Sequence, residues 1–212
     1  MILIFRNGVA ESTSDCVRVE GQYGSWELCA QRREAVLQVR LSEAELPIDT
    51  AAYAVHPNAA LMLLLDTARA VLDEADWRPG GALRIAVVGP PGSGKSTLVS
   101  RLLGLPPPPG PTLASGVYAA VVLGRGAEIL DAPGGAPAPD GADCTVAVAP
   151  LDVYEEVPPA RGRVVLVGSR ADLGGGRMLE LYRAKLRPAA AHALDLRKAP
   201  RWALAKAIAD CV

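Results

Sequence analysis

Residues 82–104, ALRIAVVGPPGSGKSTLVSRLLG, contain an apolar strand, a glycine-rich turn and a helix in succession. The turn holds a complete G-x-x-x-x-G-K-[ST] pattern at residues 89–96. In this context backbone N–H groups can surround a β-phosphate, the lysine can reach the β- and γ-phosphate oxygens, and the hydroxyl after it can bind Mg²⁺. The sequence therefore predicts a P-loop that binds a nucleotide, and the alternative is a loop of this shape that serves only as a turn. The candidate nucleotide-binding residues are Gly89, Pro90, Pro91, Gly92, Ser93, Gly94, Lys95, Ser96 and Thr97.

Short apolar segments alternate with helical ones after Leu83. Continuous apolar strands with helices between them are typical of a parallel sheet that is covered on both faces. The pattern predicts an α/β domain of the P-loop NTPase type over residues 81–212, with a mostly parallel sheet. Its predicted strands are LRIAVV, GVYAAVVL, AEILDAPG, CTVAVAP, RVVLVGS and AHALDL, and its later helices are RMLELYRAKLR and PRWALAKAIADC.

The first 80 residues have a different pattern. Short, partly alternating apolar runs separated by turn residues predict a small all-β module over residues 1–56. Asn58 is a suitable N-cap, and the apolar residues that follow it recur at helical spacing, so residues 57–80 are expected to form a linker helix.

Composition limits the kind of partner. Half of the residues are apolar and 21% are charged, which is typical of a folded domain, and the net charge is −1. Such a chain has no long-range attraction to nucleic acid, so a protein partner is at least as well supported. With no leader or long apolar run recognised, we expect an intracellular protein without membrane contact. The cysteines at 16, 29, 144 and 211 lack C-x-x-C spacing, and we expect thiols rather than structural zinc or a redox dithiol.

Phosphoryl transfer needs more than a P-loop, because the metal needs a second anchor and the nucleophile must be oriented. Asp131 ends an apolar strand after the loop and is the candidate anchor. The predicted metal ligands are therefore Ser96 and Asp131.

One interpretation of these residues is a small GTPase-like switch protein with an extra N-terminal module. Asp131–Gly134 fits the D-x-x-G loop, and GSRADL has the shape of the guanine-reading N-K-x-D loop. In that loop Asp172 would accept hydrogen bonds from the base, with Ser169 and Arg170 in place of Asn and Lys. The switch threonine would be Thr112.

A second interpretation covers more of the chain. Gly8-Val9-Ala10-Glu11, Gly21-Gln22-Tyr23 and the helix that leads into the glycine-rich turn resemble the Clp family of eukaryotic RNA 5′-hydroxyl kinases and mRNA cleavage and polyadenylation factors. The resemblance implies ATP and Mg²⁺ as ligands and suggests a base contact at Arg33, which could equally be a solvated strand residue. It suggests Tyr154 as the family's tyrosine and Arg177, Arg183 and Arg187 as lid residues.

The departures from that family define the expected function. The Asp-x-Asp-x-Gly-Gln strand is missing, Ala132–Gly135 stands where the Thr-x-Gly-Trp clasp is expected, and the family's C-terminal domain has no counterpart. The resemblance then implies a shortened, nuclear, ATP-binding scaffold subunit of the pre-mRNA 3′-end processing machinery. Its partners would be protein subunits, with RNA reached through the complex. A residual RNA 5′-hydroxyl kinase is the third possibility.

Overall fold

The computed structural model of the chain describes residues 1–12, 16–22, 24–30, 36–41, 44–49, 66, 68–69, 72, 80–106, 110, 114–173 and 175–212. Twelve strands in these ranges form one sheet, in the order β12-β11-β10-β7-β9-β8-β1-β2-β3-β4-β5-β6. The strands are β1 (Ile2–Phe5), β2 (Gly8–Ser12), β3 (Cys16–Gly21), β4 (Gly24–Ala30), β5 (Val36–Leu41), β6 (Ala44–Asp49), β7 (Gly80–Val88), β8 (Gly116–Val122), β9 (Arg125–Asp131), β10 (Cys144–Pro150), β11 (Arg163–Ser169) and β12 (Ala190–Leu194).

The part of the sheet that follows residue 80 is mostly parallel. Strands β12, β11, β10, β7 and β9 pair in parallel, and β8 pairs antiparallel with β9. Three helices accompany these strands: α1 (Lys95–Leu102), α2 (Gly176–Leu186) and α3 (Arg201–Ala209). The mixed α/β architecture predicted for this half of the chain is confirmed.

The two faces of this half are packed differently. Residues such as Val87, Val146 and Val165 lie in one core with the apolar sides of α1 and α3. The opposite face is built from smaller residues, among them Ala86 and Ala147, and is covered by α2 and by the 132–142 loop. Small side chains on the sheet allow the irregular 132–142 loop to lie close to it, so the loop covers the part of this face that α2 does not cover.

The N-terminal strands continue the same sheet. β1 to β6 pair antiparallel in sequence order, as expected of a β module, but β1 also pairs in parallel with β8. Leu3, Ile4 and Phe5 are all buried, which requires cover on both faces of β1. α3 packs against β1, β2 and β3, and the buried Ala68 and Leu72 come from the predicted linker. The structure thus joins in one sheet what the sequence predicted as two units.

Little of the predicted linker helix is within the described ranges. Residues 66, 68 and 69 are helical, and the Leu72 amide donates to the Ala68 carbonyl at 3.0 Å. Asn7 Nδ2 donates to the Leu72 carbonyl at 3.1 Å, so this segment is attached to the turn between β1 and β2. Within the ranges that the structure describes, none of the helices has the length and apolar character needed to cross a bilayer.

The cysteine expectation was wrong. Cys144, at the start of β10, forms a disulfide with Cys211, just beyond α3, with their Cα atoms 5.6 Å apart. Cys16 is also disulfide-bonded. Cys144 and Cys211 are 67 positions apart along the chain, so no local pattern in the sequence indicates that they are close.

Ion pairs connect the end of α3 to both halves of the sheet. Asp210 accepts from Arg6 Nη1 at 2.6 Å and lies 2.8 Å from His192 Nε2. Burial pushes the pKa of the Asp210 carboxyl upward, but the hydrogen bond from His192 and the charges of His192, Arg6 and Lys206 outweigh it. The pKa of Asp210 therefore lies below its usual value of 3.8.

Asp210→Asn should lower the free energy of unfolding at pH 7 by about 1–3 kcal/mol, because it weakens charge-assisted hydrogen bonds in a half-buried cluster. A carboxyl with a lowered folded pKa stabilises the protein above its unfolded pKa, and that contribution is lost as the pH falls through the folded pKa. The difference from wild type, measured by urea unfolding, should therefore shrink below pH 3.8.

The control is Glu27→Gln, which removes the exposed pair with Arg18 and should change stability by less than about 1 kcal/mol. A difference between Asp210→Asn and wild type that stays constant down to pH 2 would contradict the ionic role of Asp210.

Candidate functional site

The site lies at the carboxyl ends of the parallel strands. β7 has β9 on one side and β10 on the other, so the chain changes direction along the sheet at β7. In open α/β sheets such a point leaves a crevice beyond the strand ends where ligands bind. The loops after β7, β9, β11 and β12 all reach this edge.

The loop after β7, residues 89–96, is here named the glycine loop. Gly92 has φ +74° and Gly94 has φ +99°, which are left-handed conformations that favour glycine. A Cβ on Gly89 would lie 2.1 Å from the Val148 carbonyl oxygen of β10. The glycines are therefore required by backbone geometry and by close packing against the sheet.

Lys95 is the first residue of α1 and is buried. Its Nζ donates to the Gly89 carbonyl at 3.1 Å and to the Pro90 carbonyl at 2.9 Å, which holds the ammonium inside the glycine loop. Burial lowers the pKa of Lys95, while the charges of Asp131 and Glu155 act to raise it. This ammonium is placed to attract an anion that enters the loop.

Asp131 lies beside this loop at the end of β9, paired in register with Val87 of β7. Its side chain accepts a hydrogen bond from Ser96. Burial raises the pKa of Asp131, and the Ser96 hydrogen bond and the Lys95 charge lower it. Its Oδ1 is buried without a hydrogen-bond partner.

The side-chain oxygens of Ser96 and Asp131 are ligands of the kind that Mg²⁺ prefers. Mg²⁺ takes hard oxygen ligands and is commonly held by one or two protein oxygens together with phosphate and water. The Ser96 hydroxyl and the unpartnered Asp131 oxygen fit that donor set. Among the residues that the structure describes, no group of three or more His, Cys, Asp or Glu side chains is placed to hold a metal ion, so a metal at Asp131 would need ligand oxygens as well.

The turn after Asp131 packs directly on the glycine loop. The Gly135 amide donates to the Gly89 carbonyl at 3.0 Å, and a Cβ on Gly134 would lie 2.9 Å from the Pro91 Cα. Ala132 is tied to β7 through the Val87 carbonyl at 3.1 Å. Movement of either loop would therefore disturb the other.

A pocket of about 360 Å³ opens on the side of the glycine loop that faces away from the Asp131–Gly134 turn. One wall is the end of β11 at Ser169 together with Arg170 and Asp172 of the segment after it, where residues 171–173 form a short 3₁₀ turn. The opposite wall is the segment after β12, where Leu196 lies against Gly94. The volume is in the range of small-ligand sites.

The structure brings together most of the predicted site. The glycine loop, Asp131 and Asp172 meet at one edge of the sheet, and Thr97 also lines the pocket. Arg33 and Thr112 lie outside the described residues. The three lid candidates belong to α2 and its C-terminal end, where Arg183 pairs with Glu180 at 2.9 Å, and none of the three lines the pocket.

Tyr154 stacks on Tyr182 with ring centroids 5.4 Å apart and accepts from Lys185. Sequence reasoning missed Asp152, Asp195 and Arg197, which also line the pocket. They follow β10 and β12, and the rule that parallel strand ends meet at one edge could have indicated them.

Comparison with known proteins found neither a family model that matches the chain nor a curated protein that matches it.

Gly89→Ala should destabilise the protein by about 1–3 kcal/mol, because its Cβ would overlap a backbone oxygen of β10. Gly81→Ala is the matched control, since nothing lies within 4 Å of a Cβ at that position. The control should be neutral or slightly stabilising. Thermal unfolding of both variants checks this prediction, and equal melting temperatures would contradict the close packing of the glycine loop.

Proposed function

We propose that the protein binds a guanine nucleotide together with Mg²⁺ in a GTPase-like site. The observation that carries the proposal is the convergence of three segments from distant parts of the sequence: the glycine loop, the Asp131–Gly134 turn and the Ser169–Asp172 segment. Each resembles a GTPase motif in the sequence. The Asp131–Gly134 turn packs on the glycine loop, and the Ser169–Asp172 segment lines the pocket on the other side of that loop. A P-loop kept only as a turn would not require the other two segments beside it.

The phosphate end of the nucleotide would lie in the glycine loop. Lys95 would exchange its bonds to the Gly89 and Pro90 carbonyls for phosphate oxygens, and the inward-facing amides would supply further donors. Ser96 and Asp131 would hold Mg²⁺, which neutralises charge on the β- and γ-phosphate oxygens. The carboxylate is already oriented by the Ser96 hydroxyl.

The base would lie in the pocket beside Gly94, with Asp172 as its reader. A carboxylate only accepts hydrogen bonds, and the Watson–Crick edge of guanine offers N–H donors at both N1 and N2. Adenine has an unprotonated N1 and a single amino group on that edge. A site built to pair with these donors rejects a base that lacks them, because buried polar groups are then left unpaired.

We expect slow hydrolysis of a bound nucleoside triphosphate because of the residue that follows the Asp131–Gly134 turn. Gly135 has no side chain with which to orient an attacking water, and its amide bonds to Gly89. Phosphoryl transfer depends almost entirely on positioning and charge stabilisation. The proposed role is therefore that of a nucleotide-stabilised switch or scaffold.

The scaffold role in pre-mRNA 3′-end processing, with ATP as the ligand, stays a prediction that depends on the Clp resemblance. So do the residual RNA kinase and the nuclear location. The Cys144–Cys211 disulfide weighs against a nuclear location, because protein disulfides persist mainly in oxidising compartments and in some hyperthermophiles. The base of a nucleotide that co-purifies with the protein separates the ATP and GTP proposals.

Mg²⁺-GDP should raise the melting temperature, and Lys95→Ala should weaken binding at least about tenfold. The lysine would make charge-assisted hydrogen bonds worth about 1.5–3 kcal/mol each, and 1.4 kcal/mol corresponds to a factor of ten. Titration calorimetry measures the effect. Lys206→Ala, an exposed change of the same charge on α3, is the control and should bind as wild type does.

A second experiment tests the base. Wild type should prefer GDP to ADP, and Asp172→Ala should remove most of that preference while Asp140→Ala, at a side chain 90% exposed, leaves it intact. A preference for ADP that Asp172→Ala does not change would overturn the guanine assignment and support the ATP-binding proposal. Absence of nucleotide binding by wild type would overturn both.

A further inference from the structure

An arginine bridge crosses the proposed nucleotide site. Arg170 Nη1 contacts both carboxylate oxygens of Asp152, at 3.2 and 2.9 Å, and Arg170 Nη2 donates to the Gly92 carbonyl at 3.0 Å. These three residues come from the end of β10, the segment after β11 and the glycine loop. One guanidinium thus connects three separate segments around the pocket.

The backbone at Arg170 shows that this connection constrains the segment after β11. Arg170 has φ +58°, a left-handed conformation that is uncommon for a residue with a Cβ. The Leu173 amide donates to the Arg170 carbonyl at 3.1 Å and closes the short turn that carries Asp172. Through the two terminal nitrogens of its guanidinium, Arg170 connects this turn to Asp152 and to the Gly92 carbonyl.

We infer that Asp152 is a positioning residue for nucleotide binding: it fixes Arg170 so that the Asp172 segment and the glycine loop bind the base and the phosphates as one unit. This inference rests on the proposed function, since it assigns the base to the pocket beside Gly92 and Gly94.

The bridge has little to do with folding stability. The side chains of Arg170 and Asp152 are 41% and 26% exposed, and ion pairs between such exposed side chains contribute little to folding stability. Ordering of loops before binding instead lowers the conformational entropy lost on binding. The effect of Asp152 should therefore be found in the affinity for a ligand that contacts both loops.

A comparison of pyrophosphate binding with GDP binding separates a positioning role of Asp152 from a role in folding stability. Pyrophosphate can occupy only the phosphate part of the site. GDP would contact both the glycine loop and the Asp172 segment and needs the two in the correct relative position. We expect Asp152→Ala to weaken GDP binding about tenfold, which corresponds to 1.4 kcal/mol, and pyrophosphate binding much less. The melting temperature of the nucleotide-free protein should stay close to that of wild type.

A double-mutant cycle tests whether Asp152 acts through Arg170. Arg170→Ala should weaken GDP binding at least as much as Asp152→Ala, and the double variant should be no weaker than Arg170→Ala alone. Asp140→Ala removes an exposed acid that pairs with Arg161 at 2.9 Å, and as the control it should bind GDP as wild type does.

The inference would be overturned by additive losses in the cycle, by equal losses for GDP and pyrophosphate, or by a lower melting temperature of Asp152→Ala with no change in the ratio of its GDP affinity to its pyrophosphate affinity. If wild type binds ADP in preference to GDP and Asp152→Ala weakens ADP in the same selective way, the guanine assignment fails and the role of Asp152 stands. If wild type binds GDP and Asp152→Ala binds it equally well, the inference alone fails. If wild type binds no nucleotide, both fail.

Discussion

The pairing of β7 with β9 and β10 is the interaction on which the rest of the structure depends. It places Val87 next to Asp131 on one side and Gly89 against Val148 on the other. The first contact brings a carboxylate to Ser96, and the second leaves no room for a side chain at the start of the glycine loop. The glycine loop and an acidic residue are therefore adjacent because their strands are neighbours.

α3 connects this centre to the N-terminal strands. The Arg201 guanidinium donates to Glu11 of β2 and to the Leu102 carbonyl at the end of α1. The backbone amide of Arg201 donates to Glu20 of β3. At the other end of α3, Asp210 contacts Arg6 and His192, and Cys211 is bonded to Cys144. Because the segment before α3 carries Leu196, which contacts Gly94, these contacts also fix one wall of the proposed base pocket.

Local patterns predicted the elements well. Every strand and helix expected after Leu83 is present within a few residues, because continuous apolar segments and helical spacing are local properties. Asp131 could be predicted for the same reason, since it ends a strand. The strand that Asp152 follows could have placed it at the same edge of the sheet, but its contact with Arg170 could not be predicted, because Arg170 lies 18 positions away in the loop after the next strand. The disulfide was missed for a similar reason, because its cysteines are 67 positions apart and their spacing fits no local motif.

The sequence alone determined the glycine loop, the alternation of strands and helices and the two-residue Ser96–Asp131 candidate, because glycine geometry and hydrophobic period act over a few neighbouring residues. The tertiary structure decided that β1 pairs with β8, so that the N-terminal strands extend the parallel sheet. It also decided that Arg170 bridges Asp152 and Gly92. Hydrophobic burial is non-directional, so an apolar strand such as ILIF fits a separate module and a shared sheet equally well by its pattern. In the part of the chain that the structure describes, α3 packs against β1, β2 and β3 as well as β11 and β12, which stabilises the shared sheet.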